Sequence, residues 1–233
     1  TPLVINLDDD NGDGLIDELD FPEIVFVSYR TVDDVRYNGV VRAIHGGGPH
    51  RGDDYFARCG NTLWSAGDPI PDDEACAFGT TAEARTAEPF ALPGGALAAG
   101  DIDGDGVPEI VVPTVRRSLL VLDNRGQLLL ETPPWQWPGG PGRATEGSWN
   151  FTTTAIANLD GAGPAEVIVG NRVFTFKIVD DGGVDVLELD RVFTGTLRTG
   201  VQGGEFGSIL CVADLVAERP GQELVVGSTA YGL

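Results

Sequence analysis

One pattern occurs four times along the chain and constrains the fold more than any other feature of the sequence. A short run of small or apolar residues leads into an acidic loop, the loop ends in Pro or Gly beside an acid, and an apolar strand follows. The four copies are PLVINLDDDNGDG with PEIVFVSY, LAAGDIDGDGVPEIVVPTV, AIANLDGAGPAEVIVGN and CVADLVAERPGQELVVGST. A unit of this kind cannot bury both faces of its strands alone, so the pattern predicts repeats that stack on one another.

Strand patterns dominate the rest of the chain, and the spacing typical of helices is nearly absent. With 33 glycines and 15 prolines, the sequence is interrupted too often for long helices. Short runs rich in Val, Ile and Leu, separated by Gly, Asn and Asp turns, predict an antiparallel all-β protein. The predicted strands cover 23–29, 39–45, 109–115, 118–124, 126–132, 166–171, 172–179, 184–190 and 223–229.

The spacing of the repeats predicts the architecture. Taking loop starts near Asp9, Asp101, Asn158 and Asp214 gives intervals of 92, 57 and 56 residues (101 − 9, 158 − 101, 214 − 158). About four strands in such a period is typical of a β-propeller blade. Residues 1–233 are then one propeller segment of three full repeats and the start of a fourth, with a loop insertion at about 46–95. Part of a larger ring is the preferred interpretation, and a four-bladed ring closed by the terminal strands is the alternative.

The second copy carries a family resemblance. GDIDGDGVPEIVV, residues 100–112, resembles the calcium-loop signature of FG-GAP/VCBS repeats, the blades of integrin-α-like β-propellers. The likeness extends over most of the chain through the four copies, of which the fourth is the weakest. The resemblance implies a propeller, usually of seven blades, with calcium in loops between strands, in secreted or cell-surface proteins.

The second acidic loop has the residue types of a calcium site at the required spacing. Asp101, Asp103 and Asp105 occupy alternate positions, and Gly106 permits the sharp turn that follows. Calcium takes six to eight oxygen ligands, including backbone carbonyls. We therefore expect the ligand set Asp101, Asp103, Asp105, the Val107 carbonyl and Glu109.

The first acidic loop fits two registers. The preferred one resembles an EF-hand loop, with the ligands Asp9, Asn11, Asp13, Leu15, Asp17 and Asp20. The other uses Asn6, Asp8 and Asp10, aligns Pro22-Glu23 with Pro108-Glu109, and treats the residues between as an insertion. Both can hold if two ions share the loop.

The later loops depart from the pattern. The third keeps Asn158, Asp160 and Glu166 but has Ala162 at the fifth position, so a third calcium site and a metal-free turn remain open. The fourth, DLVAERPGQE, has lost the alternation of acids and is interpreted as a structural turn. The sequence thus predicts two Ca²⁺ sites and a possible third.

The charge of the chain narrows the choice of partners. The formal net charge is −21 with a pI of about 4.2, which argues against nucleic acid and anionic membrane surfaces because both require basic patches. No apolar run is long enough for a membrane-spanning helix, so no membrane insertion is expected. Partners are expected among proteins or carbohydrates, the remainder of a propeller, or neighbouring subunits.

The cysteines predict one disulfide and one thiol. Cys59 and Cys76 bracket an irregular Gly/Pro/Asp-rich stretch of the kind that disulfides stabilise. Cys211 lies in the apolar run SILCVADL and is expected to be a buried free thiol.

Other candidates lie in loops. The tripeptide 51–53 is Arg-Gly-Asp, which integrins bind in their ligands but which also recurs by chance. His45 and His50 lack a third nitrogen or sulfur ligand at suitable spacing, which favours ordinary loop residues over a metal site. Three exposed indoles can form a ligand-stacking surface or pack against the insertion, and they are Trp135, Trp137 and Trp149.

Three functions are compatible with these features. The first is a calcium-stabilised extracellular module for binding, adhesion or assembly, acting through loops 46–95 and 133–150. The second is a secreted propeller enzyme such as a polysaccharide lyase, with Arg51, Arg58 and Arg143 beside the tryptophans. The third is a structural subunit of a surface appendage or large complex.

Overall fold

All regular secondary structure in the described part of the computed structural model is β-strand. The structure describes residues 2–28, 40–56, 97–114, 118–134, 153–170, 172–194, 210–216, 221–226 and 229–231. These segments contain fourteen strands and no helix, which confirms the all-β prediction for them. None of them holds a helix long and apolar enough to cross a membrane.

The strands form four antiparallel sheets, each built from strands that are consecutive in the chain. The first sheet contains β1 (Leu3–Ile5), β2 (Glu23–Ser28) and β3 (Val40–His45). The second contains β4 (Ala98–Gly100), β5 (Glu109–Pro113), β6 (Leu119–Leu122) and β7 (Leu128–Glu131). The third contains β8 (Thr154–Ala157), β9 (Glu166–Val169), β10 (Arg172–Asp180) and β11 (Asp185–Thr194), and the fourth contains β12 (Leu210–Ala213), β13 (Glu223–Val226) and β14 (Thr229–Tyr231).

The sheets pack face to face in chain order. Leu7 and Val25 of the first sheet pack with Ile110 and Leu120 of the second in one buried cluster. The other faces of the second and third sheets meet in a cluster formed by Ile102, Val111, Leu119, Val121, Val167, Val169, Phe174, Phe176 and Leu187. The third and fourth sheets share a cluster of Leu159, Ile168, Val173, Leu224 and Val226. The second and third sheets therefore have both faces buried, which explains why β5, β6 and β9 read as continuous apolar runs.

The short first strands of successive sheets lie side by side. β1 contacts β4, β4 contacts β8, and β8 contacts β12. The approach is close at Gly100, where a Cβ atom would lie 3.1 Å from Cγ2 of Ile156. The small residues that precede each acidic loop thus serve packing between sheets.

Hydrogen bonds also connect the loops of adjacent sheets. The side-chain amide of Asn124 donates to the carbonyl of Leu7 at 2.8 Å, which ties the second sheet to the first. The Gln222 amide donates to the carbonyl of Leu159 at 2.7 Å, which ties the fourth sheet to the third.

The third sheet carries a long two-stranded ribbon. β10 pairs with β9 only over Arg172–Phe174, whereas its pairing with β11 continues to the turn at 181–184. A β-bulge between Thr175 and Phe176 leaves Asp190 as the extra residue on β11. The ribbon therefore extends beyond the N-terminal end of β9, and the bulge lies next to Glu166, where β9 begins.

Two predictions about these strands need correction. The strand predicted at 184–190 continues to Thr194, because the bulge at Asp190 shifts the alternation that the sequence pattern relied on. Cys211 is a free thiol as expected but is exposed. Its neighbours Leu210 and Val212 face the cluster between the third and fourth sheets, and Cys211 points to the opposite face of β12.

Several predicted features lie outside the described residues. They are the Cys59–Cys76 disulfide, most of the 46–95 insertion, the arginines Arg58 and Arg143, and the indoles Trp135, Trp137 and Trp149. The arrangement of the sheets as blades of a ring also stays a prediction.

The close contact at Gly221 gives a test of the packing between sheets. Gly221 has a φ of 102°, and a Cβ there would lie 2.4 Å from the Leu159 carbonyl oxygen. We expect Gly221→Ala to lower the free energy of unfolding by about 2–4 kcal/mol, from left-handed backbone strain plus the clash. Gly182→Ala is the matched control, because Gly182 has a φ of 68° and open space around it. Gly182→Ala should cost about 1 kcal/mol. If urea unfolding shows that the two variants lose the same free energy of unfolding, the close contact at Gly221 is contradicted.

Candidate metal centres

A buried glutamate begins the second strand of every sheet and accepts a backbone hydrogen bond from the preceding acidic loop. The four glutamates are between 0% and 5% exposed, and they are Glu23, Glu109, Glu166 and Glu223. Their Oε2 atoms accept from the amides of Leu7 (2.9 Å), Ile102 (3.0 Å), Leu159 (2.8 Å) and Leu215 (2.8 Å). The last three glutamates are evenly spaced, 57 residues apart (166 − 109 and 223 − 166).

In the second loop, this glutamate closes an acidic triad. Carboxylate oxygens of Asp101, Asp103 and Glu109 lie within 4.8 Å of one another, a group that could hold a metal ion. Asp101 is held by bonds to its two oxygens from the amides of Gly104 (2.6 Å) and Gly106 (3.0 Å). These two bonds fix the Asp101 carboxylate relative to the turn.

Two further predicted ligands belong to the same turn. Oδ1 of Asp103 accepts from the Asp105 amide at 3.1 Å, and Oδ1 of Asp105 accepts from the Val107 amide at 2.7 Å. Asp105 is exposed and lies outside the triad.

The electrostatics of the second loop disfavour a full set of charges in the absence of a cation. Burial raises the pKa of Glu109 to about 8. The bond from the Ile102 amide opposes this rise, while the charges of Asp103, Asp105 and Asp101 add to it. Burial also raises the pKa of Asp103. A divalent cation would remove this repulsion, which is the physical reason to consider a metal here.

In the first loop, the corresponding triad is Asp8, Asp10 and Glu23. The bond from the Leu7 amide to Glu23 matches the bond from Ile102 to Glu109, so Asn6 corresponds to Asp101. This is the second of the two registers, and in it the first loop begins three residues before the predicted start near Asp9.

The first triad contains buried oxygens that lack hydrogen-bond donors among the described residues. They are Oδ1 of Asp8 and Oε1 of Glu23. Burial raises the pKa of Glu23 to about 7, with further contributions from Asp8 and Asp10 against the bond from Leu7. Burial, and next the charge of Asp10, raises the pKa of Asp8. The charge of His45 opposes the rise at Asp8.

The EF-like register describes a second turn inside the same loop. Asp9 accepts from Gly12 (2.6 Å) and Gly14 (2.8 Å), which reproduces the bonds from Gly104 and Gly106 to Asp101. The Asn11 and Asp13 side chains accept from the amides of Asp13 and Leu15, both at 2.9 Å. These predicted ligands therefore share the backbone pattern of the second loop.

Asp20, the last predicted ligand of the EF-like register, accepts hydrogen bonds from backbone amides. Asp20 is 6% exposed. It accepts from Asp10 (3.0 Å), Asn11 (3.2 Å) and Asp17 (2.9 Å), while the Asn6 side chain donates to the carbonyl of Asp17. Asp20 thus holds the insertion of the first loop together, and the described residues show no acidic triad around Asp9.

The rings of His45 and Tyr55, both in the 45–56 segment, lie beside the first triad. Nδ1 of His45 lies 3.3 Å from Oε1 of Glu23, and the His45 ring packs edge-on against Tyr55 at 5.1 Å between centroids. The Tyr55 side chain lowers the pKa of Asp8, and burial raises the pKa of Tyr55 itself. His50 lies in an exposed turn beside Asp53.

The turn that carries the 51–53 tripeptide is short and tied to β3. The amide of Gly52 donates to the carbonyl of His45 at 2.8 Å, and the amide of His45 donates to the carbonyl of Asp53 at 3.0 Å. All three tripeptide residues are exposed.

The third loop retains the turn without an acidic triad in the described residues. Asn158 donates to the carbonyl of Gly163 at 2.9 Å, and Asp160 accepts from Ala162 at 2.8 Å. Burial raises the pKa of Glu166. In the fourth loop, Glu223 bonds two successive amides, and its role is to fix the turn.

Sequence reasoning included Glu23 only in the second register of the first loop, by its alignment with Glu109, and left Glu223 out of the candidate set. A signal was present, because both residues begin an apolar strand after an acidic loop as Glu109 does. The long insertion between Asp10 and Glu23 made the EF-like register the preferred one, and the loss of alternating acids concealed Glu223.

Comparisons with known proteins give one solved structure to report. No family model and no curated protein matches the chain. The crystal structure of the V. cholerae biofilm matrix protein Bap1 is similar to 97% of this chain, with a TM-score of 0.48 and 24% sequence identity. The chain spans about a third of that protein, since the match covers 34% of it.

The raised pKa of Glu109 predicts a pH dependence of stability. Its carboxyl titrates at about 8 in the folded chain against 4.5 in the unfolded one, so the folded state binds more protons between these values. In chelator, we therefore expect the free energy of unfolding to fall as pH rises from 5 to 8. Glu109→Gln should make this fall less steep, because it removes the titrating group.

The control for this experiment is Glu18→Gln, at an exposed glutamate in the first loop. The free energy of unfolding is measured by urea unfolding at each pH. Glu18→Gln should leave the slope of this free energy against pH unchanged. Identical slopes in the parent chain and Glu109→Gln would show that Glu109 is not the group responsible.

Proposed function

We propose that the chain is a calcium-stabilised binding module built from propeller blades. The observation that carries this proposal is the pair of acidic triads, each closed by a buried glutamate at the start of a core strand. An ion in such a triad would link the loop to the strand and to the sheet behind it.

Calcium is the metal that best fits the donors. Both triads consist of carboxylate oxygens, which are the ligands of a hard cation. Softer metals prefer nitrogen and sulfur donors. In this proposal the ions are structural, and they are held by Asp101, Asp103 and Glu109 in one loop and by Asp8, Asp10 and Glu23 in the other.

The blade arrangement is supported by the way the sheets repeat. Each sheet is an antiparallel meander, the faces pack in chain order, and the first strands form a row. In a propeller such first strands line the centre of the ring. The described sheets would then be consecutive blades of one ring.

The proposed module acts outside the cell. A weakly calcium-binding structural loop is filled at the millimolar calcium concentrations of extracellular fluids. The strong negative charge of the chain favours a partner that is neutral or basic over nucleic acid. Adhesion or assembly through protein or carbohydrate contacts is the role we propose.

A calcium-dependent thermal melt tests the structural role. At a hundredfold excess over the dissociation constant, one ion adds about 2.7 kcal/mol to stability. For a chain of this size we expect a rise in Tm of about 5–10 °C per site when calcium replaces EDTA. Magnesium should give a smaller rise, and a Tm unaffected by calcium would contradict the proposal.

Calorimetric titration of calcium distinguishes the two registers of the first loop. We expect two ions per chain from the two triads. Asp103→Asn and Asp8→Asn should each remove one ion, because each removes a carboxylate from a triad. Asp9→Asn should retain both, and Asp185→Asn on the distant ribbon is the matched control. If Asp9→Asn loses an ion and Asp8→Asn does not, the EF-like register is the correct one.

A further inference from the structure

A cleft lies between the third acidic loop and the ribbon, beside Glu166 at the start of β9. Its volume is about 460 Å³, a size that accommodates a small ligand or an extended side chain with part of its main chain. Asp160 and Glu166 line it from the loop, and Thr175, Phe176, Asp190 and Phe193 line it from the ribbon. Neither acidic triad contributes a carboxylate to this cleft.

The charges in the cleft favour a cationic group. Three of its side chains carry carboxylates, against the single guanidinium of Arg191. Ala162 stands in the cleft wall where the second loop has its third aspartate, so this loop lacks the acid that would help to hold a metal. An ammonium or guanidinium group is a suitable counter-charge for the acids that remain.

The β-bulge in the ribbon is a second indication that the cleft is a binding site. It places Asp190 beside Thr175, whose hydroxyl donates to Oδ2 of Asp190 at 3.4 Å. Bulges re-aim side chains and are frequent beside functional sites. The other contacts of Asp190 are exposed pairs with Lys177 (4.0 Å) and Arg191 (3.3 Å), which a ligand can replace at little cost.

The edge of β10 next to the cleft indicates what carries the cationic group. Beyond Phe174, β10 has no partner strand on its β9 side in the described part of the chain, and it continues to Asp180. Such an edge offers main-chain donors and acceptors that an extended polypeptide can pair with. A polysaccharide has no matching main-chain ladder. The edge therefore favours a polypeptide as the source of the positive charge.

We propose that this cleft and the adjacent edge of β10 bind an extended basic segment of another protein. The segment adds a strand along Phe176–Asp180 in line with β9, and a lysine or arginine side chain enters the cleft towards Asp160, Glu166 and Asp190. Phe176 and Phe193 contact the aliphatic stem of that side chain. The inference rests on the proposed binding role and gives it a location and a ligand class.

The test is a binding titration of the calcium-saturated chain with an acetylated and amidated octapeptide of alternating lysine and threonine. We expect saturable binding of one peptide per chain, and no binding of the same peptide with glutamate for lysine. Asp190→Asn should weaken binding about tenfold, the loss expected for one charge-assisted hydrogen bond. Asp185→Asn makes the same charge change on the same strand outside the cleft, and it should alter affinity by less than about twofold.

A second variant keeps the charges and fills the space. Ala162→Leu places a larger side chain in the cleft wall and should also reduce peptide affinity. Amide hydrogen exchange of Phe176–Asp180 should slow when the peptide is bound to the parent chain or to Asp185→Asn. Thermal melts of each variant with and without calcium verify folding and separately report on the proposed calcium sites.

The possible results are distinct. Equal weakening by Asp190→Asn and Asp185→Asn would mean that net charge alone attracts the peptide, and it would overturn the inference. Binding without slower exchange in β10 would overturn strand addition. Binding of a glucosamine hexamer in preference to the peptide would identify a cationic polysaccharide as the ligand and overturn the polypeptide. If calcium still stabilises the chain in these cases, the proposed calcium-stabilised module survives.

Discussion

The hydrogen bond from a loop amide to a buried glutamate is the contact on which the rest of this structure depends. It recurs at Glu23, Glu109, Glu166 and Glu223, including the fourth loop, which has lost its alternating acids. A carboxylate buried in a core is unfavourable unless it is paired. The amide satisfies one oxygen, and in the first two sheets the remaining charge requires either a proton or a cation.

Much of the fold was predictable because the strands of the two inner sheets are buried on both faces. Continuous runs such as EIVV at Glu109 and EVIV at Glu166 identify core strands without further information. The second loop was equally readable, since Asp101, Asp103 and Glu109 are close in sequence and meet in space. The short strands that begin each sheet were not, because a run of three or four residues is too short to show a periodic pattern.

The remaining differences arise where local sequence and tertiary contacts disagree. Asp9, Asn11 and Asp13 form a turn with the same hydrogen bonds as the second acidic loop, yet the triad next to them forms through Glu23, thirteen residues after Asp10 (23 − 10). Only the pairing of β1 with β2 brings Glu23 to the loop. The bulge at Asp190 and the exposure of Cys211 likewise depend on neighbouring strands and sheets, which sequence spacing does not contain.

The hydrogen bonds between adjacent loops determine how further repeats can be added to a chain of this kind. Leu7 and Leu159 each donate to the glutamate of their own sheet and accept from the next sheet, through Asn124 and Gln222. Contacts of this sort join nearest neighbours only, so the stability of the stack is a sum of terms for single sheets and for adjacent pairs. Duplication of one sheet with its loop then adds a constant increment of free energy. A unit without an acidic triad in its described residues, such as the fourth, can therefore still be held in place by its neighbours.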